Sequence, residues 1–268
     1  MGDEGDIFRL VTRLPLFLPV YALVLFRVAG LMVTAPLFSS TAIPARIRAA
    51  MATIIAMALF PVVLPDAPLH LGLRGVLLGV VGETMIGLVM GLALNLVLIG
   101  AGLAGLVSGQ QAGLALGRVF DPMTNSNSTV FATAYSLVFQ IVFIVVGGHR
   151  LLMSALLDTF EVIPLASFRA DPGIVELLAA LLTGAFVLGL KLAAPVLTAL
   201  FLTSLTLGFL SKTMPQLNIL SVGFALRTMM ALGVAALALP AANEVFLEAL
   251  TDSIVALRDT FGLGPSAF

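Results

Sequence analysis

The chain has 268 residues, of which 60% are hydrophobic and 10% are charged, and its formal net charge is -1. Soluble domains carry about 25% charged residues, so this composition argues against a water-soluble globular protein. The chain has no block of lysine or arginine, and nothing therefore indicates nucleic-acid binding. It also has no cysteine, which excludes disulfides, thiolate metal ligands and cysteine nucleophiles.

The first half of the chain contains three apolar segments, at residues 15–38, 49–64 and 75–107. A bilayer core about 30 Å thick requires roughly 20 apolar residues in a helix. The second segment is therefore short for a span, and the third is long enough to tilt, kink near its glycines or extend beyond the membrane. The acidic N-terminus and the length of the first segment argue against a cleaved signal peptide.

The second half contains three further apolar segments, at residues 130–146, 174–210 and 217–242. The segment with Pro195 fits either one bent helix or two shorter ones. A mixed polar region, 147–173, lies between the first two of these segments. The tail that follows is amphipathic, because apolar residues recur in it at helical spacing: Val245, Leu250, Ile254, Leu257 and Phe261. The pattern predicts an all-α integral membrane protein with six apolar regions.

Four charged residues lie within these apolar segments: Arg27, Glu83, Lys191 and Arg227. Ionisable groups at membrane depth are costly unless they have a partner or a water path. One interpretation is a small-solute secondary transporter that uses Glu83, Lys191 and Arg227. The other is that the charges pair with each other, snorkel, lie outside the lipid, or meet carboxylates of partner subunits. Three cations against one anion disfavour a proton relay, and the two halves show no convincing repeat of the kind found in transporters.

No constellation in the sequence indicates catalysis. The two histidines, His70 and His149, lie in predicted loops, and neither a Gly-x-Ser-x-Gly turn nor a His-Glu-x-x-His motif occurs. No set of metal ligands has a recognisable spacing. We therefore expect a protein that is not an enzyme and that holds no cofactor or metal.

Three local patterns leave alternatives open. Gly87 and Gly91 have the small-xxx-small spacing of closely packed membrane helices, within one chain or between subunits. The apolar loop at 109–129 fits a segment that blocks a channel or an ordinary surface turn, which Asp121-Pro122 favours. Pro215 interrupts an apolar run and predicts a helix–turn–helix hairpin.

Five short motifs occur in a characteristic order along nearly the whole chain: Pro44-Ala45-Arg46-Ile47-Arg48, Phe120-Asp121-Pro122, Gly148-His149, Ile163-Pro164-Leu165, and Pro215-Gln216-Leu217-Asn218 followed by Gly223-Phe224. With these motifs the chain resembles the FliR family (FliR/SctT) of type III secretion export-gate proteins. The Phe-Asp-Pro and Pro-Gln-Leu-Asn elements favour the flagellar branch over the virulence branch.

The resemblance implies kinked helical hairpins packed into a larger helical export-gate assembly. Its expected partners are FliP and FliQ, with FlhB and FlhA as further neighbours, together with membrane lipid and the unfolded flagellar polypeptides that are transported. The expected location is the flagellar basal body in the bacterial inner (cell) membrane. Much of such an assembly stands above the membrane plane, which would explain segments whose lengths do not match a bilayer.

The resemblance also assigns parts of this chain. It implies a FliP-like part at residues 1–172 and a FliQ-like hairpin with an amphipathic tail at 173–268, joined near Asp171-Pro172-Gly173. It implies a pore plug, hinged at two glycines, that comprises Gly113, Leu114, Leu116, Gly117, Val119, Phe120, Asp121 and Pro122. The single Phe120 and the charged Arg118 depart from the family pattern there. Structural or assembly roles are expected for Pro44, Arg46, Arg48, Glu83, Gly87, Gly91, His149, Lys191, Pro215, Gln216, Asn218 and Arg227.

Overall fold

A computed structural model describes residues 3–40, 43–63, 72–114, 130–168, 172–214 and 219–263, with the backbone alone for 3–16 and 219–221. Throughout these ranges every regular element is a helix, so the all-α prediction is confirmed. The helices are α1 (Asp3–Thr34), α2 (Ala45–Val63), α3 (Leu73–Gln111), α4 (Val130–Val145), α5 (Gly148–Val162), α6 (Pro172–Thr213) and α7 (Ile219–Phe261).

Five of these helices are long and apolar enough to cross a membrane, namely α1, α2, α3, α6 and α7. The pair α4 and α5 passes the same test together but is bent by 60°, and it makes a sixth span if it is counted as one. The helix lengths are uneven, because α2 has 19 residues whereas α3, α6 and α7 have 39, 42 and 43. The chain is thus an integral membrane protein whose helices differ about twofold in length.

Helix α2 is longer than the sequence indicated. The carbonyl oxygen of Pro44 accepts hydrogen bonds from the backbone N–H groups of Ile47 and Arg48, at 3.0 and 3.2 Å. The helix therefore begins at Ala45, four residues before the predicted apolar segment, and includes Arg46 and Arg48. The prediction that this segment is short for a span was wrong for that reason.

The mixed polar region after the fourth apolar segment contains a helix that the sequence analysis did not predict. Gly147 adopts φ +81°, a left-handed conformation that favours glycine, and the chain bends there before α5 begins. Leu152, Ala155, Leu156 and Thr159 of α5 are buried. Their spacing of three and four residues places them on one helix face, and this short apolar stripe was concealed by the polar residues around it.

The sixth apolar segment and the amphipathic tail form the single helix α7, which continues through Pro240. A proline inside a helix costs about 3 kcal/mol. Beyond it, Leu250, Ile254, Leu257 and Phe261 are all buried, and each such burial contributes about 1.5–3 kcal/mol. Their combined burial outweighs the proline, and the predicted amphipathic pattern of the tail is confirmed. Helix α6 likewise continues through Pro195.

The chain divides into two compact units. The first comprises Met1–Asn95, Gly147–Leu178 and Ile254–Phe268, and the second comprises Leu96–Val146 and Ala179–Ser253. Helices α3, α6 and α7 each contribute residues to both units. In the second unit, Gly100 of α3 lies against the backbone of Ala185 in α6, and Gly105 lies against Phe131 and Ala132 in α4.

In the first unit, α1 and α3 cross with their backbones in direct contact. Gly30 of α1 lies against the carbonyl of Thr84, and Gly87 of α3 lies against the carbonyl of Arg27. One turn further on, Gly91 lies against Leu31 and Ala35. A Cβ atom at any of these glycines would collide with backbone atoms of the opposite helix. Gly87 and Gly91 therefore pack within the chain.

We expect Gly87→Ala to destabilise the protein, because the added methyl group would meet a helix backbone that has no space to move. Forcing the helices apart costs on the order of 1–3 kcal/mol. The matched control is Gly184→Ala in α6, where nothing lies within 4 Å and alanine is the better helix former by up to about 1 kcal/mol. Thermal unfolding in detergent measures both, and equal midpoints for the two variants would contradict the proposed close packing.

Candidate functional site

The best-defined polar site in the first unit is a buried ion pair between α1 and α3. The Nε atom of Arg27 donates to Oε2 of Glu83 at 2.5 Å, and both side chains are 0% exposed. These two residues are the lone charges of their apolar segments. The interpretation in which the charges pair with each other is therefore confirmed for this pair.

The other donors of Arg27 reach the end of α5. One terminal nitrogen donates to the Thr159 hydroxyl at 3.2 Å, and the other donates to the carbonyl of Ile163 at 3.1 Å. The guanidinium also lies 4.1 Å from the ring centre of Phe160, a cation–π contact that strengthens when it is desolvated. A single arginine thus holds three elements of the first unit: α1, α3 and the C-terminal end of α5.

The second oxygen of Glu83 fixes the loop that follows α5. Its Oε1 atom accepts the backbone N–H of Ala166 at 2.9 Å. Ala166 has φ +62°, a left-handed conformation that costs a non-glycine residue about 1–2 kcal/mol. The carboxylate stabilises this turn directly. Gly79 and Gly82 leave room for the loop, because they lie against Ala166 and Phe168.

This arrangement is suited to holding segments together. Both carboxylate oxygens of Glu83 are occupied, and Arg27 donates from all three of its nitrogens. A proton carrier or substrate ligand needs a free face, which this pair does not offer. Among the residues of known placement, no group of three or more His, Cys, Asp or Glu side chains is arranged to hold a metal ion.

A second ion pair joins the ends of α5 and α7. Arg258 lies 2.8 Å from the carboxylate of Asp158, whose side chain is 38% exposed. Asp158 precedes Thr159, so the two polar contacts of α5 are adjacent. The amphipathic pattern of the tail did not predict this attachment.

The two remaining cations of the apolar segments have no acidic partner in the described parts of the chain. Lys191 is exposed on α6. Arg227 on α7 is partly buried, and its Nε atom is buried without a hydrogen-bond partner, as is the adjacent Thr228 hydroxyl. A lysine or arginine at the centre of a spanning helix costs about 2.5–3.5 kcal/mol on insertion scales. The described residues therefore leave both charges uncompensated.

Residues expected near the α1–α2 turn and at the start of α5 have simple local roles. Arg48 donates to the carbonyls of Ser40 and Ile43 and so closes the turn before α2. Arg46 is exposed in the first turn of α2, and His149 is exposed in the first turn of α5. Pro44 supplies the carbonyl that starts α2. Pro215, Gln216 and Asn218 lie outside the described residues.

Only the beginning of the predicted plug lies within the described residues. Helix α3 ends at Gln111, and Gly113 follows with φ +86°, close to the ring of Phe224. This conformation agrees with a glycine at a chain turn. Leu114 is the last residue described before the gap. Leu116, Gly117, Val119, Phe120, Asp121 and Pro122 lie outside the described residues.

The second unit has an open apolar groove between α4 and α7. One part of it has a volume of about 220 Å³ and is lined by apolar side chains, among them Tyr135, Val138, Leu232 and Leu239. Phe139 also lines the groove, and its ring packs against that of Phe246, with centroids 4.7 Å apart. The surface of this unit is thus apolar even where it is concave.

The fold and the site define a helical membrane protein with several spans, whose buried polar contacts serve to hold its segments together. A family model described as "Bacterial export proteins, family 1" matches residues 18–253. The chain belongs to this family, and the resemblance inferred from the five motifs is confirmed.

Individual relatives support the same assignment. The chain is similar to the flagellar biosynthetic protein FliR of Escherichia coli, with 30% identity over 66% of this chain and 67% of that protein. It is 29% identical to FliR of Caulobacter vibrioides over 65% of this chain and 70% of that protein. For FliR of Buchnera aphidicola the identity is 30%, over 55% of this chain and only 57% of that protein. All three relatives are named as flagellar biosynthetic proteins.

We expect Glu83→Gln to be strongly destabilising, because it removes one charge of a buried pair and leaves Arg27 uncompensated. Such a loss costs on the order of 3–5 kcal/mol. The matched control is Asp158→Asn, which removes a carboxylate that is 38% exposed beside the buried Arg258 and should cost less, because water reaches this pair. Thermal unfolding of the detergent-solubilised protein distinguishes the two.

The double variant Arg27→Met with Glu83→Met tests whether the cost of Glu83→Gln comes from the uncompensated charge of Arg27. Replacing both charges by apolar groups removes the uncompensated cation, so we expect part of the lost stability to return. If Glu83→Gln unfolds at the wild-type temperature, the pair does not hold this unit together.

Proposed function

We propose that the chain is a non-catalytic pore and gate subunit of the flagellar type III protein export apparatus. It assembles with FliP and FliQ, next to FlhB and FlhA, into a channel for unfolded flagellar polypeptides. This assembly lies in the bacterial inner membrane at the flagellar basal body. Membership of the export family supports the general role, and the shape of the long helices supports the assembly.

The observation that carries the proposal is the length of α6 and α7. At 42 and 43 residues, each is about 63–65 Å long at 1.5 Å per residue. Even at the steep tilt of about 40°, such a helix extends over nearly 50 Å, whereas the hydrocarbon core measures about 30 Å. A large part of each helix must therefore stand outside the lipid.

Those helices nevertheless expose large apolar side chains along most of their length. On α6 the exposed residues run from Val175, through Phe186 and Leu190, to Phe201 and Phe209. Between Val175 and Phe209 lie 34 residue steps, or about 51 Å, so a bilayer cannot cover all of them. Apolar surface that neither lipid nor the chain itself covers marks a protein interface. Packing against other subunits accounts for this surface.

We further propose that the FliP-like part ends and the FliQ-like hairpin begins at residues 171–173. Helix α6 begins at Pro172, and proline is favoured in the first turn of a helix. From there the chain consists of two long helices, α6 and α7, which agrees with a helical hairpin. The compact units describe packing within the chain, and this division describes resemblance to the partner proteins.

The plug proposal rests on the sequence at 113–122. A pore for unfolded polypeptide has to accept many sequences and still hold back ions at rest. A mobile apolar segment does both, because hydrophobic constrictions close by dewetting. The left-handed Gly113 supports the first of the two proposed hinges, and Gly117 would supply the second.

Purification from native membranes tests the assembly. We expect the tagged chain to remain bound to FliP and FliQ in mild detergent. We also expect the variant with both Phe201→Ser and Phe209→Ser to lose these partners, because it makes the exposed surface of α6 polar. Thr206→Ser on the same helix should retain them. If the wild-type chain is isolated alone and monodisperse, the proposed function is wrong.

Conductance measurements test the plug. Deleting residues 113–122 should raise the ion conductance of the assembled complex, since the apolar constriction is removed. A variant with Leu116→Ser and Phe120→Ser keeps the loop length and should give a smaller increase, while Asn127→Ser should leave the conductance at the wild-type level. Unchanged conductance in the first two variants, with assembly intact, would remove the plug assignment.

A further inference from the structure

Residues 177–243 contain three basic side chains and no acidic one: Lys191, Lys212 and Arg227. Lys212 lies in the last turn of α6, where the negative end of the helix dipole stabilises a cation. Lys191 and Arg227 lie further inside α6 and α7. The stretch therefore has a charge imbalance that its own sequence does not correct.

Lys191 is the one charged residue between Glu176 and Lys212 in the sequence of α6, and it lies far from both. Glu176 is 15 residues away and Lys212 is 21 residues away, which correspond to about 22 and 31 Å along a helix. Large apolar side chains are exposed on either side of it, Val187 and Leu190 before it and Phe201 after it. The anionic headgroups of lipids lie outside the hydrocarbon region, so they do not pair with a cation in the middle of such a surface.

In the described part of α6, no hydrogen bond joins Lys191 to another polar side chain of the helix. The hydroxyls of Thr183, Thr198 and Thr206 each donate to the carbonyl four residues earlier on the same helix. No ion pair joins Lys191 to a carboxylate in the described part of the chain. Arg227 adds an independent sign of a missing partner, because its Nε atom is buried without an acceptor.

We propose that the exposed face of α6 binds a helix of a partner subunit that is apolar apart from an aspartate or glutamate, and that this carboxylate pairs with Lys191. The proposal rests on the proposed function, since it specifies the chemistry of one partner in the assembly. Charge complementarity argues for this occupant, because an apolar surface around one uncompensated cation matches an apolar surface around one anion.

Charge variants of Lys191 in the assembled complex test the pairing. Lys191→Glu places two carboxylates opposite each other, and we expect the partner chain to be lost on purification. Lys191→Met leaves the partner carboxylate buried and unpaired, and should weaken its retention on the order of a hundredfold. Lys212→Met, on the same helix but in its last turn, should retain the partner as the wild type does. Methionine suits an apolar helix surface, so Lys191→Met should fold as the wild type does, and its loss of the partner would not reflect misfolding.

Compensation identifies the partner residue. We expect the loss in Lys191→Glu to be reversed by an aspartate-to-lysine or glutamate-to-lysine change in a copurifying chain. The chain has no cysteine, so Lys191→Cys is a single-cysteine variant. In the assembled complex it should resist a membrane-impermeant maleimide, because a protein helix covers the site.

The outcomes separate this inference from the proposed function. If the wild-type chain keeps its partners while Lys191→Met and Lys191→Glu keep them equally well, the pairing is wrong and the assembly stands. Rapid maleimide labelling of Lys191→Cys in the complex would place Lys191 in a water-filled channel and also overturn the pairing. Retention that depends on anionic lipid alone, in reconstituted vesicles with and without phosphatidylglycerol, would replace the carboxylate by a lipid phosphate. If the wild-type chain has no partner, the proposed function itself fails.

Discussion

The first unit depends on one buried ion pair and on the glycines that allow it to form. Arg27 and Glu83 meet because α1 and α3 approach until backbone touches backbone, and Gly87 lies one turn from Glu83 against the carbonyl of Arg27 itself. An ion pair without solvent is stabilising only when its geometry is good and its other hydrogen-bonding groups are satisfied. Thr159, Ile163 and Ala166 satisfy them here, so helix packing and charge pairing depend on each other.

The charges of the chain fall into two classes with different consequences. Arg27 and Glu83 are compensated inside the chain, and they fix the loop after α5 without any partner. Lys191 and Arg227 are not compensated in the described residues, and they lie on the two longest helices. The first class stabilises the packing of the first unit without a contact to another protein. The second class carries our proposal that other proteins complete the environment of these helices, which agrees with membership of the export family.

Much of this organisation was predictable from the sequence, because apolar runs with isolated charges are a strong signal. The pairing of Arg27 with Glu83 was one of the open alternatives, and the family followed from five motifs. The contacts that complete the site were not predictable. A carbonyl such as that of Ile163 or an N–H such as that of Ala166 is present in every residue, so its use leaves no mark in the sequence. The continuity of α7 was not predictable from local pattern either, because the apolar segment and the amphipathic tail differ in composition although they form one helix through Pro240.

The back-bonded threonines of α6 have a consequence for how a neighbouring helix is aligned. Their hydroxyl protons are donated within the helix, so the exposed surface offers a neighbour few free hydrogen-bond donors. Shape and one positive charge are left to set the axial alignment of the two helices. Without that charge, alignments that differ by one helical turn, about 5.4 Å, would be similar in free energy. Errors in such a contact would thus take the form of discrete steps of one turn, and a single lysine would decide among them.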